Sequence, residues 1–82
     1  MKFTLYSRSY CHLCDDMLLA LQAFDIGQPY SVEVIDVDAD PELVAQFDEL
    51  VPVLLGAKDA EPPTRLCHYF LDEAALRAFL EK

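Results

Sequence analysis

Cys11 and Cys14, separated by His12 and Leu13, are the residues of this 82-residue chain best suited to chemistry. At the start of a helix, a spacing of three puts both sulfurs on one face. The first sulfur then meets the unpaired N–H groups and the positive end of the helix dipole, which favour thiolate over thiol. A thiolate beside a second thiol is a redox device: Cys11 attacks a partner's disulfide, and Cys14, a turn deeper, resolves the mixed disulfide. Metal ligation is the other chemistry open to the pair, and two incidental thiols are the plain alternative. Arg8, three residues before Cys11, is placed to stabilise a thiolate or a partner's carboxylate, or else is a solvated surface charge. His12 either aids thiolate formation when protonated or is an exposed first-turn residue. Tyr10 either shields the pair and meets the partner, or packs. Asp15 and Asp16 suit the dipole of that helix, but Asp15, four residues after Cys11, would repel a thiolate there.

Composition narrows the setting for this chemistry. Hydrophobic residues make up 54% of the chain and are spread along it, so one packed domain over residues 1–82 is expected. No run of about 18 uncharged apolar residues is present, which argues against a membrane span. The opening residues Met1 to Tyr6 are too short for a signal peptide and lack a small-residue cleavage site, so a cytoplasmic protein is expected. In a reducing compartment an odd set of three cysteines makes a poor structural disulfide framework. The net charge of −9 is uneven, because residues 1–14 carry +2 and the rest −11. Six Lys and Arg against fifteen Asp and Glu disfavour a nucleic-acid partner.

The elements that must hold the pair follow from periodicity. Lys2 to Tyr6 is rich in β-formers and reads as a first strand. Leu13, Met17, Ala20, Leu21 and Phe24 fall at helical spacings, and Gly27 and Pro29 stop a helix of roughly four turns near Ile26. Ser31 to Val37 is a β-branched run, giving a strand-helix-strand unit with parallel strands. Asp40 caps and Pro41 opens a second helix, buried through Leu43, Val44, Phe47 and Leu50. Val51-Pro52-Val53-Leu54-Leu55 is a short strand entered through a proline, a loop covers Gly56 to Thr64, and Arg65 to Phe70 is a last strand. Asp72 caps a final helix, with Leu71 stapled to Leu76. Cys67 reads as a small buried residue, facing away from its neighbour His68.

This βαβαββα order, with Cys-x-x-Cys at the first strand-to-helix turn and Pro52 opening the third strand, resembles the glutaredoxin branch of the thioredoxin fold over essentially the whole chain. Tyr6-Ser7-Arg8-Ser9-Tyr10-Cys11-His12-Leu13-Cys14 is similar to that family's strand, basic residue, aromatic and Cys-x-x-Cys signature. The resemblance implies an α/β fold with a four-stranded mixed sheet flanked by three helices. It further implies a cis Val51-Pro52 bond against the sulfurs, the kind of bond for which cis is least unfavourable. Catalysis by Cys11 and Cys14 is implied too, with substrate contacts from Arg8, Tyr10 and His12. At Val51 and Pro52 a substrate backbone would add as a short strand.

Two departures bear on the substrate. Glutathione-using members carry Pro where His12 stands, and a Gly-Gly pair where this chain has Tyr69-Phe70-Leu71. Such bulk should obstruct glutathione, so a protein disulfide is the expected partner and glutathione the second choice as co-substrate. No prosthetic group or metal is expected, and the chain is expected to act as a monomer. The competing readings are a metal or iron-sulfur module drawing thiolates from two subunits, and a redox-inactive interaction domain of the same fold.

Overall fold

A computed structural model describes residues 1–81. The order is β1 (Lys2–Ser7), α1 (His12–Ala23), β2 (Ser31–Asp36), a single 3-10 turn (Val37–Ala39), α2 (Pro41–Phe47), β3 (Val53–Ala57), β4 (Thr64–His68) and α3 (Glu73–Glu81). The strands form one mixed sheet in the order β2-β1-β3-β4. β1 pairs with β2 in parallel, while β3 runs antiparallel to both β1 and β4. The order βαβαββα and the mixed four-stranded sheet agree with the sequence reading.

Alternation along the strands divides the core between the two faces of the sheet. Phe3 and Leu5 of β1 and Leu54 of β3 cluster with Met17 and Leu21 of α1 and Leu76 and Phe79 of α3. Val53 of β3 joins Val37 and Phe47 on the other side, and Tyr6 stacks on the Phe47 ring at 4.6 Å. α1 and α3 therefore cover one face and α2 the other, as period-two strands require. The caps lie where expected. Asp40 Oδ1 accepts from the Glu42 N–H at 2.9 Å, and Asp72 Oδ1 accepts from the Ala75 N–H at 3.0 Å.

Several boundaries differ from the sequence reading. α1 stops at Ala23, because Phe24 turns extended (φ −77°, ψ 135°), and both Phe24 and Ile26 reach the core from beyond the helix end. Leu13, expected in the buried stripe, is 37% exposed: it lies in the first turn, and burial on α1 begins at Cys14. β2 ends at Asp36, whose carboxylate accepts from the Asp38 N–H at 2.9 Å and starts the 3-10 turn. β3 begins at Val53 because the Val51 N–H is spent on the Phe47 carbonyl, at 3.1 Å, and it runs through Gly56 to Ala57. β4 ends at His68, since Tyr69 takes a φ of +64° that no strand can continue. A register shift opposite Leu54 and Leu55 also breaks the expected alternation of Leu66 and Cys67, and both are half-buried.

Gly56 shows how tightly α3 sits on the sheet. A Cβ there would lie 2.8 Å from Phe79 Cε2 and 3.2 Å from Leu66 Cδ1. Phe79 is itself buried, so its ring has little room to retreat. Gly56→Ala is expected to destabilise the fold by about 1–3 kcal/mol in urea unfolding. The same change in a Phe79→Leu background should be tolerated better, and equal losses in both backgrounds would count against the steric account.

Candidate functional site

One end of the sheet collects every turn that carries a candidate residue. Tyr6 near the end of β1 is registered opposite Val53, and Val53 opposite His68. The turn leaving β1 toward Cys11, the turn entering β3 through Pro52 and the turn leaving β4 at Tyr69 are thereby neighbours. Cys11 is the N-cap of α1, with extended backbone (φ −106°, ψ 107°), and its Sγ accepts the Cys14 N–H at 3.1 Å. The sulfur thus takes one of the helix's unpaired donors, as an N-cap oxygen would. Cys11 and Cys14 are joined as a disulfide, their Cα atoms 5.2 Å apart. Cys14 is 3% exposed and Cys11 half-exposed, so Cys11 is the more accessible sulfur.

The third turn is fixed by Tyr69. Its backbone N–H donates to the Pro52 carbonyl at 2.9 Å, and its phenol donates to the Glu49 carbonyl. Both bonds tie β4 to the turn between α2 and β3, in which Val51-Pro52 is cis. Tyr10, directly before Cys11, is likewise at positive φ (+60°) and fully exposed. A non-glycine residue in that region is strained by about 1–3 kcal/mol, and such residues concentrate at functional sites.

Comparison with known proteins places this geometry in a family. The family model for a glutaredoxin-like domain (DUF836) matches residues 2–81. The chain belongs to the glutaredoxin-like family. Protein Ne2328 from Nitrosomonas europaea, solved by NMR in solution, is 33% identical with a TM-score of 0.79, covering 95% of this chain and 88% of its own. The target protein XcR50 from X. campestris is 29% identical with a TM-score of 0.62, over 96% of this chain and 95% of its own. Oxidised mitochondrial thioredoxin 3 from Saccharomyces cerevisiae is 17% identical and shares the fold, with a TM-score of 0.68 over 98% of this chain and 76% of its own. No protein of curated function matches the chain.

Within this glutaredoxin-like domain the other sequence candidates are distributed unevenly. Arg8 sends its Nε and Nη2 to both oxygens of Asp38, each at 3.0 Å, and Nη2 also to Asp48 Oδ1 at 2.5 Å. These hydrogen bonds and the two carboxylate charges hold the guanidinium pKa above its ordinary value. Arg8 therefore ties the turn after β1 to the ends of β2 and α2. His12 is exposed at the first position of α1, and Pro52 is buried. Among the described residues, no group of three or more His, Cys, Asp or Glu side chains is arranged to hold a metal ion.

Sequence reasoning missed a groove that begins within about one helical turn after Cys14 along α1. A cavity of about 330 Å³ opens between Asp16, Met17 and Ala20 of α1, the Tyr69-Phe70-Leu71 turn, and Glu73 at the start of α3. Phe70 is 67% exposed at its edge. The available signal was the aromatic run after β4, which was read only as an obstruction. Cys67, expected to be buried, is half-buried beneath this turn, because the irregular pairing of β4 leaves it partly uncovered. Desolvation raises its pKa, against a smaller opposing effect from the Asp72 backbone N–H.

Two measurements follow from these environments. With the Cys11-Cys14 disulfide intact, alkylation of Cys67 should reach half its maximal rate at a higher pH in the folded protein than in urea; coincident profiles would remove the desolvation account. Arg8→Met and Asp48→Asn should each lower the melting temperature, and the double variant should lose less than the two losses combined. That coupling should shrink at high salt, and strict additivity would show that the ion pair is idle.

Proposed function

We propose that the protein is a small thiol-disulfide oxidoreductase or electron carrier acting through Cys11 and Cys14 on a protein disulfide. The observation that carries this reading is the arrangement of the pair: Cys11 half-exposed on a helix N–H, above a buried Cys14. In the reduced protein the Cys11 thiolate attacks one sulfur of the partner's disulfide. A Cys11-partner S–S bond forms, the partner's own S–S bond breaks, and its leaving thiolate takes a proton from water. Cys14, deprotonated to solvent, then attacks Cys11 Sγ. The internal disulfide closes and the second partner thiol is released. Two electrons pass from the Cys11-Cys14 dithiol to the partner, and a dithiol or a pair of monothiols must supply them again.

The surrounding residues take their roles from position. The backbone of Val51 and the buried Pro52 form the edge against which a partner strand lies. Because the Val51 N–H is already bonded to the Phe47 carbonyl, the pairing offered there is through the Val51 carbonyl. Tyr10 and His12, exposed on either side of Cys11, contact the partner, and Arg8 keeps the turn that presents them. Glutathione ranks second as a substrate, because Tyr69, Phe70 and Leu71 stand where its backbone would approach. No prosthetic group enters this chemistry.

Thiol trapping with mass spectrometry across a glutathione redox series tests the reading. Wild type should lose two hydrogens reversibly, located between Cys11 and Cys14, and Cys14→Ser should accumulate a mixed disulfide at Cys11. Cys11→Ser should form none. A pair that neither oxidises reversibly nor forms an adduct would overturn the oxidoreductase reading.

A further inference from the structure

The groove between α1 and the turn after β4 is apolar where it is deep and acidic where it is open. Met17, 2% exposed, lies within it among Ala20, Leu71 and the Tyr69 and Phe70 rings, while Asp16 and Glu73 line its margin with exposed carboxylates. Leu13, 37% exposed, stands one helical turn before Met17 and continues the apolar surface toward Cys11. Tyr69, Phe70 and Leu13 are large apolar side chains left in water at one end of the sheet, which marks an interaction surface. Among the described residues lining the groove there is no Lys or Arg to balance its acids. The cation of the neighbouring turn, Arg8, is already paired with Asp38 and Asp48.

We propose that this groove selects the protein substrate: it receives an apolar side chain next to the partner's reacting cysteine, on a segment whose Lys or Arg residues face Asp16 and Glu73. The inference rests on the oxidoreductase reading and specifies its substrate class. Charge complementarity decides the occupant. An anionic segment would meet both carboxylates in a chain of net charge −9, and so would glutathione, which is itself a net anion. An apolar side chain removes the exposed parts of Phe70 and Leu13 from water, and flanking cations find the unbalanced acids at the margin. The groove volume of about 330 Å³ is ample for one large side chain.

The test uses reduced Cys14→Ser protein and four synthetic cysteine peptides, each carried as a mixed disulfide with 5-thio-2-nitrobenzoate. Attack by Cys11 on the peptide sulfur forms the Cys11-peptide bond and releases the coloured thiolate, so the rate is read by absorbance. The parent peptide flanks cysteine with Leu and two Lys; the others replace Leu by Ser, both Lys by Glu, or all three. At low salt the parent should react at least about tenfold faster than either partly changed peptide, a difference of about 1.4 kcal/mol. The Lys-over-Glu ratio should collapse in about 1 M salt, where screening is short-ranged. Asp16→Asn with Glu73→Gln should reduce that ratio alone, and Phe70→Ser should reduce the Leu-over-Ser ratio alone. Ratios between peptides cancel any general change in Cys11 reactivity. Equal rates for all four peptides, ratios that survive the substitutions, or a faster reaction with the corresponding glutathione disulfide would overturn the groove while leaving the redox reading in place. Failure of Cys11 to react with any disulfide would remove both.

Discussion

The site depends on a backbone register. Because Tyr6 lies opposite Val53 and Val53 opposite His68, the ends of β1 and β4 and the start of β3 are held level by ladder hydrogen bonds. A strand slip of one residue would turn every side chain to the other face and separate Phe3 and Leu5 from α1 and α3. The two-sided core forbids this, since Leu54 belongs to one cluster and Val53 to the other. Core packing therefore sets the register, and the register sets which turns meet at Cys11. The position of the reactive sulfur follows from apolar burial some distance away.

Electrostatics at this end divides into a neutralised half and an acidic half. On the α2 side, Arg8 satisfies Asp38 and Asp48 together, joining the ends of β1, β2 and α2. Beyond α1 no comparable cation stands beside Asp16 and Glu73 among the residues lining the groove. Cys11 sits between these halves on a helix terminus where the Cys14 N–H donates to its sulfur, while the carboxylates of Asp15 and Asp16 stay hydrated. Direct hydrogen bonding at 3.1 Å acts at shorter range and in less water than the repulsion from solvated acids.

Local signals made most of the fold legible. The Cys-x-x-Cys turn, the Asp40-Pro41 and Asp72 caps and the β-branched run from Ser31 each specify structure within a few residues, and all lie where expected. The errors came where tertiary contacts overrule local pattern. Phe24 continues the helical spacing of α1, and the helix was expected to run on to near Ile26, but both residues reach the core from beyond the helix end. Gly56 reads as a loop residue, yet it pairs with Phe3 and Thr64 within β3, where Phe79 leaves little room for a Cβ. The alternation from Arg65 to Phe70 looked like an unbroken strand and concealed both the irregular pairing at Leu54 and Leu55 and the positive φ of Tyr69. In the site, the pairing of Cys11 with Cys14 at the start of a helix could be read from spacing. The engagement of Arg8 by Asp38 and Asp48 could not, since those residues lie 30 and 40 positions away.

Tyr69 shows why the aromatic run after β4 is more than an obstruction. A glycine would adopt a φ of +64° without the Cβ penalty, so the turn alone gives no reason for a tyrosine. What the side chain adds is a phenol bonded to the Glu49 carbonyl and a ring that walls the groove. The backbone N–H bond to the Pro52 carbonyl would survive in either case. A small residue here would keep the cis-proline turn in place while opening the surface to a ligand's main chain. The large one closes that approach and replaces it with side-chain surface, Phe70 beside it doing the same. On the proposed reading, recognition at this turn shifts from backbone hydrogen bonding, which reads any extended peptide, to apolar contact, which reads particular side chains.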